Sequence, residues 1–270
     1  MISFLRGFVQ KFLRYRCLQL ASQISFFSIL SIVPLLMIAV FFTADVLGDS
    51  AFIYQQVVAK ILDVLPVGKN EILQNLENVI QSRFSLGAWG VGVLFFGALL
   101  LFSALEQALD IIFASEKRRN FLHSRLIGIL LILGFAVLLS LPTMAGVMEK
   151  GLANFGFAFP LSDLLQGKYY FLSLLYFGFV LLVTFIPNEK VRFRYSLIGG
   201  LIFAVGITLA KRFFHWYLAG AFAQYNIIYG SLTALVLLVL WIYYVSVIFL
   251  ISTLVVAHLQ ETRRSASGSV

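Results

Sequence analysis

With 61% hydrophobic and only 12% charged side chains over 270 residues, and a mean hydropathy of +0.96, this chain is too apolar to close around one water-facing core. Its net charge of +8 is confined largely to short segments between apolar runs, a distribution that suits a membrane surface and argues against nucleic acid. The single cysteine, Cys17, excludes an intrachain disulfide and a cysteine-built metal cluster.

Six stretches have the length and apolarity of bilayer spans: 24–44, 86–105, 126–148, 169–186, 196–218 and 232–257. A helix rises about 1.5 Å per residue, so about 20 apolar residues cross the hydrocarbon core. The expected fold class is all-α, a polytopic membrane protein with six transmembrane helices and short amphipathic interfacial helices. In this reading residues 1–260 form a single transmembrane domain and 261–270 a disordered tail. Residues 1–20 carry Leu5, Phe8, Val9 and Phe12 at helical spacing, with Arg6, Lys11, Arg14 and Arg16 mostly between such apolar positions. That pattern predicts an amphipathic helix lying in the interface. No small-residue cleavage site closes the next apolar run, so it is expected to remain as a span and not to be removed as a signal peptide. Thirteen Lys and Arg residues fall in 1–23, 106–125, 187–195 and 258–270, against seven in the alternate segments. The positive-inside rule then puts both termini in the cytoplasm.

The first span carries Ser25, Ser28 and Ser31 near one face. Small residues there suit close helix packing, with a polar seam along a substrate path as the sharper alternative. In the outer loop 45–85, Val58, Ile61, Leu62 and Leu65 form one stripe, and Ile72, Leu73, Leu76, Val79 and Ile80 form another. Pro66-Val67-Gly68 separates them, which predicts two short amphipathic helices over 52–65 and 70–84. Pro142 predicts a bend in the third span. Pro187-Asn188 closes the fourth.

Three polar features interrupt the apolar pattern. Glu106 and Asp110 share one face at the end of the second span; they suit ion pairing, proton or cation handling, or a solvated helix end. Lys211, Arg212 and His215 follow fifteen uncharged residues and precede or adjoin Phe213, Phe214, Trp216 and Tyr217. Charges at such depth cost about 2.5–3.5 kcal/mol each and usually face a cavity or a partner. They suit contact with an anion such as a lipid phosphate, or snorkelling toward the outer interface within an aromatic belt. The run Gln224-Tyr225-Asn226 through Tyr229-Gly230-Ser231 suits a re-entrant turn lined by amides and phenols, or an ordinary outer loop, with Ser231 as a helix N-cap. No hydrolase, phosphate-loop or metalloprotease signature is present, and the three histidines are dispersed.

Several stretches together resemble the YihY/BrkB family of bacterial inner-membrane proteins, once labelled ribonuclease BN. They are Ser25 to Leu35 in the first span, Ser103 to Phe113 after the second, and Ile186-Pro187-Asn188 with Val191-Arg192. Ala210 to Phe213, Tyr225 to Leu232 and Trp241-Ile242-Tyr243 complete the set. The resemblance implies six spans and a bacterial cytoplasmic-membrane location. Lys211, Tyr229 and Gly230 fall on positions that the family pattern marks. The family is viewed mainly as transporters or envelope-associated factors linked to lipid or lipopolysaccharide handling, and its nuclease label as a misassignment. A Gly-Ala-Glu in the family's last span corresponds here to Ser252-Thr253-Leu254, which removes any role that glutamate has elsewhere.

The function expected is transport or handling of an anionic amphiphile, with no enzymatic activity and no cofactor. The candidate contacts are Lys211, Arg212, Tyr225, Asn226, Tyr229, Gly230, Glu106 and Asp110. Anionic membrane lipids are the expected partners, with envelope proteins as further partners and no nucleic acid. The alternative is a non-transporting scaffold that docks envelope machinery through 45–85.

Overall fold

The structure is a computed structural model that describes residues 2–31, 87–115, 126–131, 168–229 and 232–267, with isolated positions between 134 and 149. The expected outer helices 52–65 and 70–84, Pro142, Gly230 and Ser231 lie outside the described residues. Among the described residues the fold is all helical, with no strand.

The amphipathic N-terminal stripe becomes α1, Ile2–Arg14. It stops short of residue 20 because Arg16 takes a left-handed conformation (φ 49°), and its N–H donates to the Leu13 carbonyl at 3.1 Å. A second helix, α2, Cys17–Ser31, begins at once. Helix α3 spans Gly87–Ile112 and α4 spans Lys168–Phe185. Pro187 lies two residues beyond α4, where a ring without an N–H cannot continue the helix.

Helix α5, Phe193–Tyr229, is 37 residues long. A break near 218 and a loop over 224–229 are expected from the polar run there, yet α5 continues straight through it. Residues 221–229 contain neither Pro nor Gly, so nothing in the backbone compels a stop. Helix α6 covers Thr233–Ser267. The composition predicts a disordered tail from 261; instead α6 takes in seven of those ten residues. Glu261 pairs with Lys11, Thr262 Oγ1 donates to the His258 carbonyl, and Arg263 donates to the Tyr195 hydroxyl, all of which hold the last turns.

Phe193–Leu218 and Leu235–Arg263 are long and apolar enough to cross a membrane, and Cys17–Ser31 and Leu172–Phe185 are shorter apolar helices. Contacts between the helices fix three pairs as antiparallel. Gln23 Nε2 donates to Gln107 Oε1 at 3.1 Å and the Ser31 hydroxyl to the Gly97 carbonyl at 2.7 Å, which makes α2 and α3 antiparallel. Ser25 and Ser31 are buried, so the serine face serves helix packing. The turn 186–192 folds α5 back along α4, with the Thr184 hydroxyl 2.9 Å from Ser196 Oγ. Gly199 faces Val256 and Gly206 faces Ile248, so α6 returns along α5.

Phe179, Phe203 and Phe249 join α4, α5 and α6 in one ring cluster with centroids 5.1–6.0 Å apart. A Cβ on Gly199 would strike Val256 and lie 2.9 Å from the Phe179 ring; the missing side chain lets the three helices meet. Phe214, Leu218, Leu237 and Trp241 make a smaller core between the far halves of α5 and α6.

Candidate functional site

The α5–α6 pair carries the most unusual polar group in an apolar span. Lys211 stands on α5 between exposed and buried faces. Ala210, Phe214 and Leu218 are in the buried row that meets Leu237 and Trp241, and Lys211 flanks that row. Arg212 and His215 are exposed, as are Phe213 and Trp216, the latter 78% exposed. This outward set matches the snorkelling and aromatic-belt arrangement, whereas Lys211 is partly enclosed.

Beyond Lys211 the helix carries a tyrosine ladder. Tyr217 and Tyr225 hydroxyls are 3.0 Å apart, and the Tyr225 ring stacks on Tyr229 at 5.9 Å. The hydrogen bond with Tyr217 holds the Tyr225 phenol above the ordinary tyrosine range. Thr233, buried at the start of α6, donates its hydroxyl to the Tyr225 carbonyl at 3.2 Å and ties the two helix ends together. Tyr225 and Tyr229 thus belong to one surface. The Asn226 side chain and Gly230 lie outside what the structure describes.

Glu106 and Asp110 belong to a different place. Asp110 ends α3, and both its carboxylate oxygens accept from Asn188: Oδ1 from the backbone N–H at 2.9 Å, Oδ2 from the side-chain amide. The same turn is held from the other side by Gln260 of α6. Its Nε2 donates to the Lys190 carbonyl at 3.0 Å, and its Oε1 accepts from the Arg192 N–H at 3.4 Å. Asp110 therefore clamps the turn that joins α4 to α5. Lys211 lies nineteen residues along α5 from Arg192, about 28 Å by helical rise, so the structure does not bring the acids and the lysine together. The sequence does not announce Asn188 and Gln260 as partners of one clamp with Asp110, because they are distant in the chain; the one available signal is an uncharged amide, Gln260, closing an apolar span.

Several charged and amide side chains meet at this end. Lys11 meets Glu261, Gln23 meets Gln107, Asp110 and Gln260 meet the 186–192 turn, and Arg263 meets Tyr195. Lys190, Arg192 and Arg194 are exposed there with Arg14 and Arg16. Among the described residues no group of three or more His, Cys, Asp and Glu is arranged to hold a metal ion.

A family model described as "Virulence factor BrkB" matches residues 8–269. The chain belongs to the BrkB family. It is 31% identical over 249 residues to a UPF0761 membrane protein of Psychromonas ingrahamii, covering 89% of this chain and 82% of that one. It is 28% identical to UPF0761 membrane protein MS0032 of Mannheimia succiniciproducens, over 97% of this chain and 91% of the relative. A UPF0761 membrane protein of Legionella pneumophila strain Corby is 30% identical over 92% of this chain, which spans only 60% of that relative's length. No solved structure matches. This BrkB-family chain is therefore a membrane protein, and its apolar helices accord with that.

Proposed function

We propose that this BrkB-family protein transports or otherwise handles an anionic amphiphile in the bacterial cytoplasmic membrane, without catalysing a reaction. In this reading the chain spans the bilayer six times, and the basic end, with both termini, faces the cytoplasm. The gathering of Arg14, Arg16, Lys190, Arg192 and Arg194 at one end supports that orientation.

The observation that carries the reading is the partly enclosed Lys211 within the span Phe193–Leu218, with the tyrosine ladder beyond it on the same helix. A charge within a span usually faces a cavity or a partner, and an ammonium at this position suits contact with a phosphate or carboxylate headgroup. The apolar flanks exposed on α5, including Leu209, Phe213 and Trp216, suit acyl chains.

The test is native mass spectrometry with lipidomics on protein purified in mild detergent. The wild type is expected to retain one anionic lipid class selectively, Lys211→Ala to lose it, and Arg212→Ala, altered at an exposed position, to keep it. Equal bulk lipid in wild type and Lys211→Ala would overturn the reading and make docking of envelope proteins through 45–85 the role to pursue.

A further inference from the structure

Helix α1 has two apolar edges, and the protein uses only one of them internally. Phe8, Phe12 and Tyr15 pack against the core, and Lys11 pairs with Glu261 on α6. Val9 and Leu13, four residues apart and so on one stripe, are 52% and 67% exposed. On α2, two residues past the Arg16 turn, an exposed row of Leu18, Phe26 and Leu30 begins, each a multiple of four residues from the last. The outward edge of α1 therefore leads directly into an apolar, bilayer-facing surface of a membrane protein.

Charge accompanies this edge. Arg14 and Arg16 are exposed, and Glu261, the acid that meets α1, is engaged by Lys11. A soluble anion would satisfy the guanidinium groups and leave Val9 and Leu13 in water. A lipid with an anionic headgroup satisfies both, since phosphate meets arginine while the upper acyl chain meets the apolar stripe.

We propose that α1 is a binding site for anionic phospholipid of the leaflet at the basic end, with Val9 and Leu13 inserted below the headgroups and Arg14 and Arg16 on their phosphates. The site is separate from Lys211 and does not rest on the transport reading. Through Lys11 and Glu261, α1 is also docked on the C-terminal end of α6.

The test uses the full chain in lipid nanodiscs, with Cys17→Ala as background and an environment-sensitive dye on Leu13→Cys. One set of discs is pure phosphatidylcholine and the other contains one quarter phosphatidylglycerol; both carry a shallow spin-labelled quencher lipid. Quenching at residue 13 is expected to rise at least about twofold with phosphatidylglycerol, and the rise is expected to vanish in Arg14→Gln/Arg16→Gln. Equal quenching in the two lipids, or a rise that survives the double substitution, would overturn the proposal. Should the Leu13 variant fail to fold, the dye on Val9→Cys reads the same stripe with the same two outcomes.

Discussion

Ala114 shows how much one residue can settle at a helix end. It lies in the left-handed region at φ 49°, its N–H donates to Ile111, and the Ser115 N–H reaches back to the Asp110 carbonyl at 2.9 Å. This is the paired-bond helix terminus that glycine usually supplies. An L-residue there costs about 1–2 kcal/mol against glycine, partly offset by the greater freedom of glycine in the unfolded chain. Ala114→Gly is expected to stabilise the protein by about 0.5–1 kcal/mol, and Ala114→Val to destabilise it, read as shifts of the thermal midpoint in detergent. Nothing in the local sequence announces this conformation, because alanine is the strongest helix former and its neighbours are ordinary. Asp110 is a related case. Its position at a helix end was legible, but its partner Asn188 lies 78 residues away, and pairings of that range leave no periodic trace.

At the scale of elements, the apolar periodicity and run lengths identified α4, α5 and α6, and the Pro187 turn between the first two. They did not find the end of α5. Gln224, Tyr225 and Asn226 look like a loop by polarity, but polarity does not break a helix when α6 packs alongside it and Thr233 caps the Tyr225 carbonyl. The closeness of α4, α5 and α6 rests on glycine. Gly199→Ala would press a methyl group into Val256 and the Phe179 ring, and is expected to cost about 1–3 kcal/mol. Val256→Ala in the same chain should recover part of that loss. A double-mutant cycle on the thermal midpoint measures the coupling, and an additive pair would show that the helices do not meet through this contact.

For the whole molecule, contacts among the described helices gather Lys11, Arg14, Arg16, Lys190, Arg192 and Arg194 at one end. The prediction is topological. Cys17 is 1% exposed, so the native thiol should stay silent to a membrane-impermeant maleimide. In a Cys17→Ala chain, Tyr229→Cys should be labelled from outside intact cells, and Arg194→Cys only after the membrane is opened. Labelling of both from outside would refute the cytoplasmic placement of the basic end. The candidate site was legible only where the chain departs from its own apolar norm, at Lys211 and the tyrosines. Where Asp110 departs from it, the cause is the clamp on the 186–192 turn.

The 37 residues of α5 also set a length. At about 1.5 Å per residue the helix measures about 55 Å, against a hydrocarbon core of about 30 Å. Confining it to that core would require leaning by roughly 57°, beyond the roughly 0–40° found for membrane helices. Part of α5 therefore leaves the hydrocarbon at any ordinary tilt. In a thicker membrane it stands more upright and its tyrosines sink toward the headgroups; in a thinner one it leans further or lifts them into water.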